Sequence, residues 1–494
     1  MPIADTDQPH VLVKDNSLVD VGMAKPDSNS NNHLEMDGPT HRLAHWATTL
    51  PRERTVEVQS EAVDGFKDLM ICMIGGSAEP TARTAANAAA QTGTGPCTII
   101  GDAAGRKTSA AWAAFANGAA AHILDFDDSF GPLQGHVSVT IIPALLALAE
   151  EQHASGSDLL DAFVVGVEAA AIIGRANTTT YNVGWHNTAV IGVVATAVAC
   201  ARLLRLNTRQ VVSAIGVAVS SSSGNMSQNG YDVKSLQPAF AARDGLFAAV
   251  LARSGIVGGP ETLAGPMGFS SLYSPMGEGA AERYVIPRHD QPLSIVDPGI
   301  IYKPYACCGD MHRAIDAAFN LVIDHDIQSQ DVQAVDIALP FNSVRNLPYV
   351  RPTNSAQARF CVPYNLALVF FNRQITLSDY DDVSLNRQNI LDFIPKVTLR
   401  VIPDSENSPH TTYLDFPNEV TVILHSGKVY RQSQMVRKGD RKNPMSPKDW
   451  KGKIDGCLRR TLSPERAAAV LRCIEGSADL NDVGELTVLL RGIA

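Results

Sequence analysis

The stretch DLLDAFVVGVEAAAIIGRA, residues 158–176, decides the fold, together with NTAVIGVVATAVACARLLRL at 187–206 and SAAWAAFANGAAAHILDF at 109–126. In each, apolar residues recur at spacings of three and four, which is typical of an α-helix. These helices are apolar on most faces and rich in alanine and glycine, whereas an outer helix has a polar face. We therefore predict that they are central, closely approaching helices of a large bundle.

Strands enter the pattern only in the second half of the chain. The segments QAVDIALP (333–340), KVTLRVIP (396–403) and EVTVILHSGKVYRQS (419–433) alternate β-branched and polar residues, and HSGK has the composition of a hairpin turn. Helical patterns occur among them and return near the end of the chain. The prediction is a mostly α protein with a large all-α domain and an inserted, smaller α+β domain.

These patterns also predict the domain bounds. Residues 1–38 are polar and without periodicity, which favours a disordered or loosely attached arm. We assign residues 39–290 to the first part of the helical domain and 291–440 to the α+β domain. Residues 441–494 are predicted to return to the helical domain.

Composition excludes several classes of function. The chain has 494 residues, 45% of them hydrophobic, and a formal net charge of −10, which argues against nucleic acid or an anionic membrane as a partner. There is no apolar run long enough for a membrane span and no signal-peptide pattern, so a cytoplasmic location is expected. The eight cysteines lie mostly in apolar surroundings, which favours reduced core thiols.

The segment DFDDSFGPLQGH, residues 125–136, is the first candidate for chemistry. Asp125, Asp127 and Asp128 follow a helix, where they are suited either to a hard cation or to capping roles. Acidic groups at a helix C-terminus face an unfavourable dipole, which makes a purely structural role less favourable. His136 lies on a loop among small residues and is a candidate proton donor, or a solvated bystander.

Two further segments place polar groups at helix starts. His186 directly precedes a helix in YNVGWHNTAVIGVV, where free backbone N–H groups favour an anion; an ordinary capping neighbour is the alternative. Lys234 lies in SQNGYDVKSLQPAFAARDG, just before an alanine-rich helical run. A surface lysine is the simpler interpretation of Lys234 taken alone.

The segment IYKPYACCGDMHRAIDAAFN repeats this arrangement, with Lys303 before a turn and a helix beginning near Gly309. The adjacent cysteines and His312 do not have the spacing of a zinc site, so we predict no metal. Tyr364 begins an apolar helix and could offer its phenol to a pocket, although core packing is the commoner fate. No phosphate loop, dinucleotide-binding motif or nucleophile elbow is present.

Taken together, the chain resembles the MmgE/PrpD family over about residues 40 to 490. The resemblance rests on five ordered motifs: DFDDSFGPLQGH, GWHNTAVIG, DVKSLQPAFAARDG, YKPYACCGDMH and CVPYNLAL. The residues GWH, FAARDG and YACCG in these motifs are most similar to those of the fungal cis-aconitate decarboxylase branch. The resemblance implies a helical domain with an α+β lid domain, a homodimer, and a pocket between the domains that needs no cofactor.

Carried over motif by motif, the resemblance implies a pocket lined by Asp125, Ser129, His136, His186, Lys234, Lys303 and Tyr364. His136, His186, Lys303, Tyr364 and Asp125 would be catalytic, and Lys234, Ser129 and Lys303 would bind substrate. Histidines that some relatives have near Cys307 and Cys308 are absent, and serine stands at position 129 where decarboxylases often have threonine.

The implied activity is a carbon–carbon lyase acting on a small di- or tricarboxylic acid. A net-negative protein needs placed cations to hold such a substrate, and Lys234 and Lys303 would supply them. Decarboxylation of cis-aconitate to itaconate is the leading hypothesis, with His136 as the general acid. Dehydration of a 2-methylcitrate-type substrate, epimerisation of an iminodisuccinate-type substrate, and an inactive helical scaffold are the alternatives.

Overall fold

The computed structural model describes residues 38–274, 279–403, 405 and 413–493. The predicted N-terminal arm lies outside these residues, except for Gly38. The main part of the helical domain consists of α1 (Pro39–Thr49), α2 (Val56–Gly76), α3 (Pro80–Thr92), α4 (Ala110–His122), α5 (Ser138–Gln152), α6 (Gly156–Ala176), α7 (Thr180–Val183), α8 (Asn187–Val190), α9 (Gly192–Leu203), α10 (Thr208–Ser220), α11 (Asp232–Arg253) and α12 (Phe269–Tyr273). Between α3 and α4 lies a pair of strands of two residues each, β1 (Cys97–Thr98) and β2 (Lys107–Thr108).

The predicted central helices are confirmed as α4, α6 and α9. Every residue of α9 is buried, because its valines, alanines and Cys200 face neighbours on all sides. Glycine and alanine let α11 approach its neighbours closely: a methyl group on Gly118 of α4 would lie 3.0 Å from Cα of Ala239. One on Gly245 would lie 2.6 Å from Cβ of Thr196 in α9. Close approach therefore explains the small residues that follow Lys234.

The smaller domain contains a four-stranded sheet. Its strands are β3 (Val332–Leu339), β4 (Val397–Val401), β5 (Asn418–Leu424) and β6 (Val429–Gln434), in the spatial order β4-β3-β5-β6. β3 is parallel to β4, and the β3–β5 and β5–β6 pairs are antiparallel. Gly427, with a φ of 80°, closes the predicted hairpin between β5 and β6. All the predicted strands are confirmed.

Helices pack beside this sheet and return to the first domain. Those of the second half are α13 (His312–Asp324), α14 (Phe341–Asn346), α15 (Ser355–Ala358), α16 (Val362–Asn372), α17 (Asp382–Leu385), α18 (Gln388–Phe393), α19 (Pro447–Leu458), α20 (Pro464–Glu475) and α21 (Gly484–Leu489). α13 packs on β5 and β6, whereas α19 and α20 pack on α2. Among the helices of the described residues, we find none with the length and apolar character of a membrane span. The exact domain bounds stay a prediction.

Candidate active site

The acidic loop after α4 forms the centre of the candidate site. α4 ends at His122, so the three aspartates lie beyond the helix rather than within its last turn. Asp125 has a φ of 48°, in the left-handed region that aspartate tolerates better than most residues. The three aspartates are at most 3% exposed. Because buried carboxylates need partners, the contacts of each one define its role.

Two lysines converge on Asp125. Nζ of Lys234 lies 2.8 Å from Oδ1 of Asp125, and Nζ of Lys303 lies 3.3 Å from the same atom. Lys303 also donates a hydrogen bond of 2.8 Å to the backbone carbonyl of Asp125. Burial alone would raise the pKa of Asp125, but the two ammonium groups hold it well below its usual value. Asp125 is therefore a permanent anion between two cations.

Lys234 reaches this point from the first turn of α11, which begins at Asp232. The expectation that Lys234 precedes the helix was thus wrong by about one turn. Lys303 comes from the segment after Ile301, whose backbone pairs with Ser129 in both directions at 2.8 Å. The pairing holds the Lys303 segment against the acidic loop.

A second cluster joins Asp127 to two histidines. Nδ1 of His122 lies 2.8 Å from Oδ2 of Asp127, and Nδ1 of His136 lies 3.3 Å from it. His136 also donates from Nδ1 to the carbonyl of Asp128 at 2.6 Å, so its Nε2 is the atom directed toward Asp125, 3.8 Å from Oδ1. The rings of His122 and His136 meet edge to face with centroids 4.7 Å apart. His136 thus lies between both carboxylates.

His186 is confirmed as the residue that immediately precedes a helix, α8. Its Nδ1 lies 2.7 Å from Oε1 of Gln237, and the amide nitrogen of Gln237 donates to the carbonyl of Asn225 at 2.9 Å. The amide orientation requires Nδ1 of His186 to carry the proton, which leaves Nε2 with a free lone pair. The ring of His122 stacks 6.0 Å away.

All three histidines are neutral near pH 7 in the free protein. Burial is the largest cause: it lowers the pKa of His122 to about 4, and it lowers the pKa of His136 and, more strongly, that of His186. The ammonium group of Lys234 lowers all three further. In the absence of an anionic ligand, each neutral ring can therefore act as a base that takes up a proton, but not as an acid that gives one to a substrate.

Asp128 fixes the loop through hydrogen bonds to the segment after it. It accepts a hydrogen bond from the backbone N–H of Val137 at 3.1 Å and another from the hydroxyl of Ser138. Burial raises the pKa of Asp128 to about 7. These bonds attach the acidic loop to the start of α5 and place His136 between the two elements.

A small cavity of about 50 Å³ lies beside this cluster. Five of the predicted site residues line it: Asp125, Ser129, His136, His186 and Lys234. The smaller domain contributes Cys308, Gly309, Asp310, Asn346, Phe360 and Arg437 to the wall. Lys303 is not among the described lining residues, because its ammonium group lies behind Asp125 and is almost fully buried.

The structure does not bring Tyr364 to the cavity wall. Its hydroxyl donates to the backbone carbonyl of Asp379, and burial raises its pKa to about 12. Tyr364 therefore takes the core-packing role that was the alternative for it. Cys308 lines the cavity beside Asn346, whereas His312 bonds through Nε2 to the carbonyl of Cys307 at 3.1 Å.

One group of side chains has the composition of a metal site. The ligand atoms of His122, Asp125, Asp127 and His136 lie within 4.8 Å of one another. However, both ammonium groups already contact Asp125, and they would repel a divalent cation placed beside them. The Nδ1 atoms of both histidines face Asp127 and act as donors. This donor set fits proton transfer better than metal binding.

Two buried cations that the sequence reasoning missed hold the site together. Nη1 of Arg359 donates to the carbonyls of Leu124 and Ala306, each at 2.7 Å. Nζ of Lys453, on α19, donates to the carbonyls of Phe126 at 2.8 Å and Lys303 at 3.2 Å. Both cations therefore join the acidic loop to the segment that carries Lys303.

His122 and Arg437 were also missed. A lone histidine in the alanine-rich α4 was the available signal for His122, since such a helix has no other polar group at its end. Arg437 had no comparable signal, because its neighbours in the cavity come from distant parts of the chain.

Comparisons with known proteins agree with this architecture. The MmgE/PrpD N-terminal domain matches residues 41–279, and the MmgE/PrpD C-terminal domain matches residues 305–476. The chain is similar to the cis-aconitate decarboxylase of Homo sapiens, with 27% identity over 77% of this chain and 79% of the human protein. It is also similar to the cis-aconitate decarboxylase of Aspergillus terreus, with 29% identity over 76% of this chain and 80% of that protein.

A third relative covers more of the chain. The cis-aconitate decarboxylase-like protein oryM of Aspergillus oryzae is 27% identical over 92% of this chain and 97% of its own length. The two domain matches together span most of the sequence, with the N-terminal match on the helical domain and the C-terminal match beginning before the four-stranded sheet. The chain therefore belongs to the MmgE/PrpD family.

Proposed function

We propose that this protein is a lyase that decarboxylates cis-aconitate, or a close analogue, to itaconate. One observation carries the proposal: Lys234, His136 and His186 meet at one cavity beside the buried Asp125. Similarity to proteins named cis-aconitate decarboxylase favours this reaction over others of the same site. A homodimer, a cytoplasmic location and independence from cofactors stay predictions.

Lys234 is the cation best placed to hold a substrate carboxylate. It lines the cavity, its side chain is 9% exposed, and its Nζ lies 5.4 Å from the centroid of the Phe360 ring. A hydrogen bond between a desolvated ammonium group and a carboxylate contributes about 1.5–3 kcal/mol. Lys303 acts through Asp125 in this proposal, since it neutralises and orients that carboxylate without reaching the cavity.

The general acid must acquire its proton when the substrate binds. Burial and the nearby ammonium groups keep His136 neutral in the free protein. A substrate with two or three carboxylates adds negative charge beside Lys234, which removes part of that repulsion and raises the pKa of His136. Substrate binding therefore converts Nε2 of His136 from a proton acceptor into a proton donor.

The chemical step transfers one proton and releases one CO2. Nε2 of His136 donates its proton to the alkene CH carbon, and the alkene electron pair forms the new C–H bond. The electron pair of the breaking C–C bond to the departing carboxylate forms the new terminal C=C bond. The products are CO2, itaconate and neutral His136, which takes a new proton from solvent when the next substrate binds. Nδ1 stays bonded to the carbonyl of Asp128, which fixes the ring.

The same groups could serve two other reactions. Free lone pairs on His136 and His186 suit removal of a proton next to a carboxylate, which dehydration and epimerisation both require. A scaffold without activity would have no use for three histidines and two lysines converging at one buried site. The relatives' activity favours decarboxylation among the enzymatic alternatives.

Incubation with cis-aconitate, 2-methylcitrate and iminodisuccinate in separate reactions, without added cofactor, tests the proposal by NMR. We expect itaconate and CO2 from cis-aconitate. An alkene from 2-methylcitrate would support the dehydratase, and no product from any of the three would reject all these activities.

A variant pair then tests the acid. We expect His136→Gln to lower kcat by about 100-fold or more, within the usual range for acid–base groups. His153→Gln is the matched control, because His153 is exposed and pairs only with Asp482 at the surface among the described residues. Equal rates for the His136 and His153 variants would remove His136 from the mechanism.

A further inference from the structure

Arg437 is a buried cation with unused hydrogen-bond donors. It follows β6, is 5% exposed and lines the cavity. Its Nη1 donates to the backbone carbonyl of Gly309 at 3.0 Å. Its Nε and Nη2 atoms are buried, and neither has a hydrogen-bond partner in the described part of the chain. These two nitrogens form one edge of the guanidinium group, the edge that binds a carboxylate through two parallel bonds.

Neighbouring acidic groups do not satisfy this edge. Asp310 is the closest candidate by position, but its Oδ2 accepts hydrogen bonds from the Tyr181 hydroxyl at 3.0 Å and from Asn346 at 2.9 Å. Within the described ranges, Arg437 forms no ion pair with any carboxylate. Two buried, unpaired guanidinium nitrogens are costly, because their N–H groups have lost water without gaining a partner. Because Arg437 lines the cavity, a carboxylate ligand there would supply the missing partner after a small shift of the guanidinium group.

Gly309 determines how closely the guanidinium group of Arg437 can approach the acidic loop. A methyl group on Gly309 would lie 2.4 Å from Nη1 of Arg437 and 3.2 Å from Oγ of Ser129. The absence of a side chain at position 309 thus lets Arg437 approach the loop that carries Ser129. Ser129 also lines the cavity, so its hydroxyl is available to the same ligand.

We propose that Arg437 binds a carboxylate of the substrate through Nε and Nη2, while Lys234 binds another. The inference deepens the proposed function, on which it rests, by naming a second residue that binds a substrate carboxylate. The cavity would take an acid with at least two separate carboxylates, one held from α11 and one from the smaller domain. Arg437 is then a determinant of substrate specificity that binds the group away from the reacting carbon.

Binding of tricarballylate, a saturated tricarboxylate that cannot react, tests this inference without turnover. Isothermal titration calorimetry at pH 7.5 would compare the wild-type protein with Arg437→Gln, Arg437→Lys and Gly309→Ala. We expect Arg437→Gln to weaken binding by about 10- to 100-fold, because a bidentate charged contact is lost. Arg437→Lys should recover only part of the affinity, since lysine lacks the two parallel donors.

Gly309→Ala gives a second test in which the arginine is retained. The added methyl group should displace the guanidinium group and weaken tricarballylate binding. Arg431→Gln is the matched control, because Arg431 lies exposed on β6; its affinity should equal that of the wild-type protein. Thermal unfolding of each variant identifies any that fail to fold.

Unchanged affinity in a folded Arg437→Gln or Gly309→Ala variant would overturn the inference. Failure of the wild-type protein to bind tricarballylate would overturn it as well. The assay is independent of the reaction: the loss of tricarballylate binding in the variants supports the carboxylate site even if cis-aconitate is not decarboxylated. Conversely, the wild-type protein could decarboxylate cis-aconitate while the variants bind tricarballylate with unaltered affinity. That result would leave the proposed function intact and reject the role of Arg437.

Discussion

Replacing Asp125 with asparagine perturbs the charge balance of the site most directly. The change removes the anion that contacts both Lys234, at 2.8 Å, and Lys303, at 3.3 Å. With an effective dielectric constant of about 20, each contact corresponds to about 5–6 kcal/mol of Coulomb attraction. Relaxation and water entry recover part of this energy, so breaking such buried pairs usually costs about 3–5 kcal/mol. We expect Asp125→Asn to lower the free energy of unfolding by that amount.

Urea unfolding followed by far-UV circular dichroism measures this cost, and a double-mutant cycle assigns it. Lys303→Met removes one of the two cations, so it should be less harmful in the Asp125→Asn protein than in the wild-type protein. The expected coupling energy is about 1–3 kcal/mol. Asp290→Asn is the matched control, because Asp290 pairs with Arg288 on the surface, and its unfolding should resemble that of the wild-type protein.

Two results would refute this reasoning. If Asp125→Asn unfolded at the same urea concentration as Asp290→Asn, the buried charges would not depend on Asp125. If the effects of Asp125→Asn and Lys303→Met simply added, Lys303 would not act through Asp125, and its separation from the cavity would need another explanation.

Three further predictions concern protons and positioning. The pKa of His122 is about 4 when folded and about 6.5 when unfolded, so the free energy of unfolding should fall by about 2 kcal/mol between pH 7 and 5 on account of His122. His122→Gln should reduce this pH dependence in urea unfolding. Calorimetric titration with tricarballylate in two buffers of different ionisation enthalpy should show net proton uptake at pH 7.5, since an anion raises the pKa of His136. Lys453→Met should lower both stability and kcat, because Lys453 holds the Phe126 and Lys303 carbonyls.

Each of these has a clear contrary outcome. The folded pKa of His122 lies below its unfolded value, so stability is present above about pH 6.5 and is lost as the pH falls. An equal acid-induced loss in the wild-type and His122→Gln proteins would contradict that sign. Zero proton exchange or proton release on tricarballylate binding would contradict substrate-induced protonation. A Lys453→Met protein with wild-type kcat would show that the cation has no positioning role; Lys451→Met, on the exposed face of α19, is its control.

Local patterns made much of the fold predictable. The all-round apolar periodicity of residues 158–176 and 187–206 required burial, and the glycines confirm it by their close contacts. Alternation in 419–433 and the HSGK turn predicted both strands of the hairpin, because side-chain direction in a strand follows sequence position. Such signals come from residues that are close together in the chain, so a single sequence is enough to detect them.

The details of the site depend on contacts between distant segments. Lys303 and Tyr364 were both expected at the cavity, but Lys303 ends behind Asp125 and the Tyr364 hydroxyl bonds to the carbonyl of Asp379. Each side chain bonds to a residue outside its own segment of the sequence. Arg437 was missed for the converse reason, because its partner Gly309 lies far away in sequence and no local pattern predicts the contact.

Deuterium labelling during turnover of cis-aconitate tests the central claim most directly. In D2O, protonation of the alkene carbon by a solvent-exchanged His136 predicts itaconate with one deuterium on the methylene carbon next to a carboxylate and none on the terminal =CH2 group. One NMR spectrum of the product distinguishes these positions. Deuterium on the =CH2 carbon, or no itaconate at all, would contradict the account.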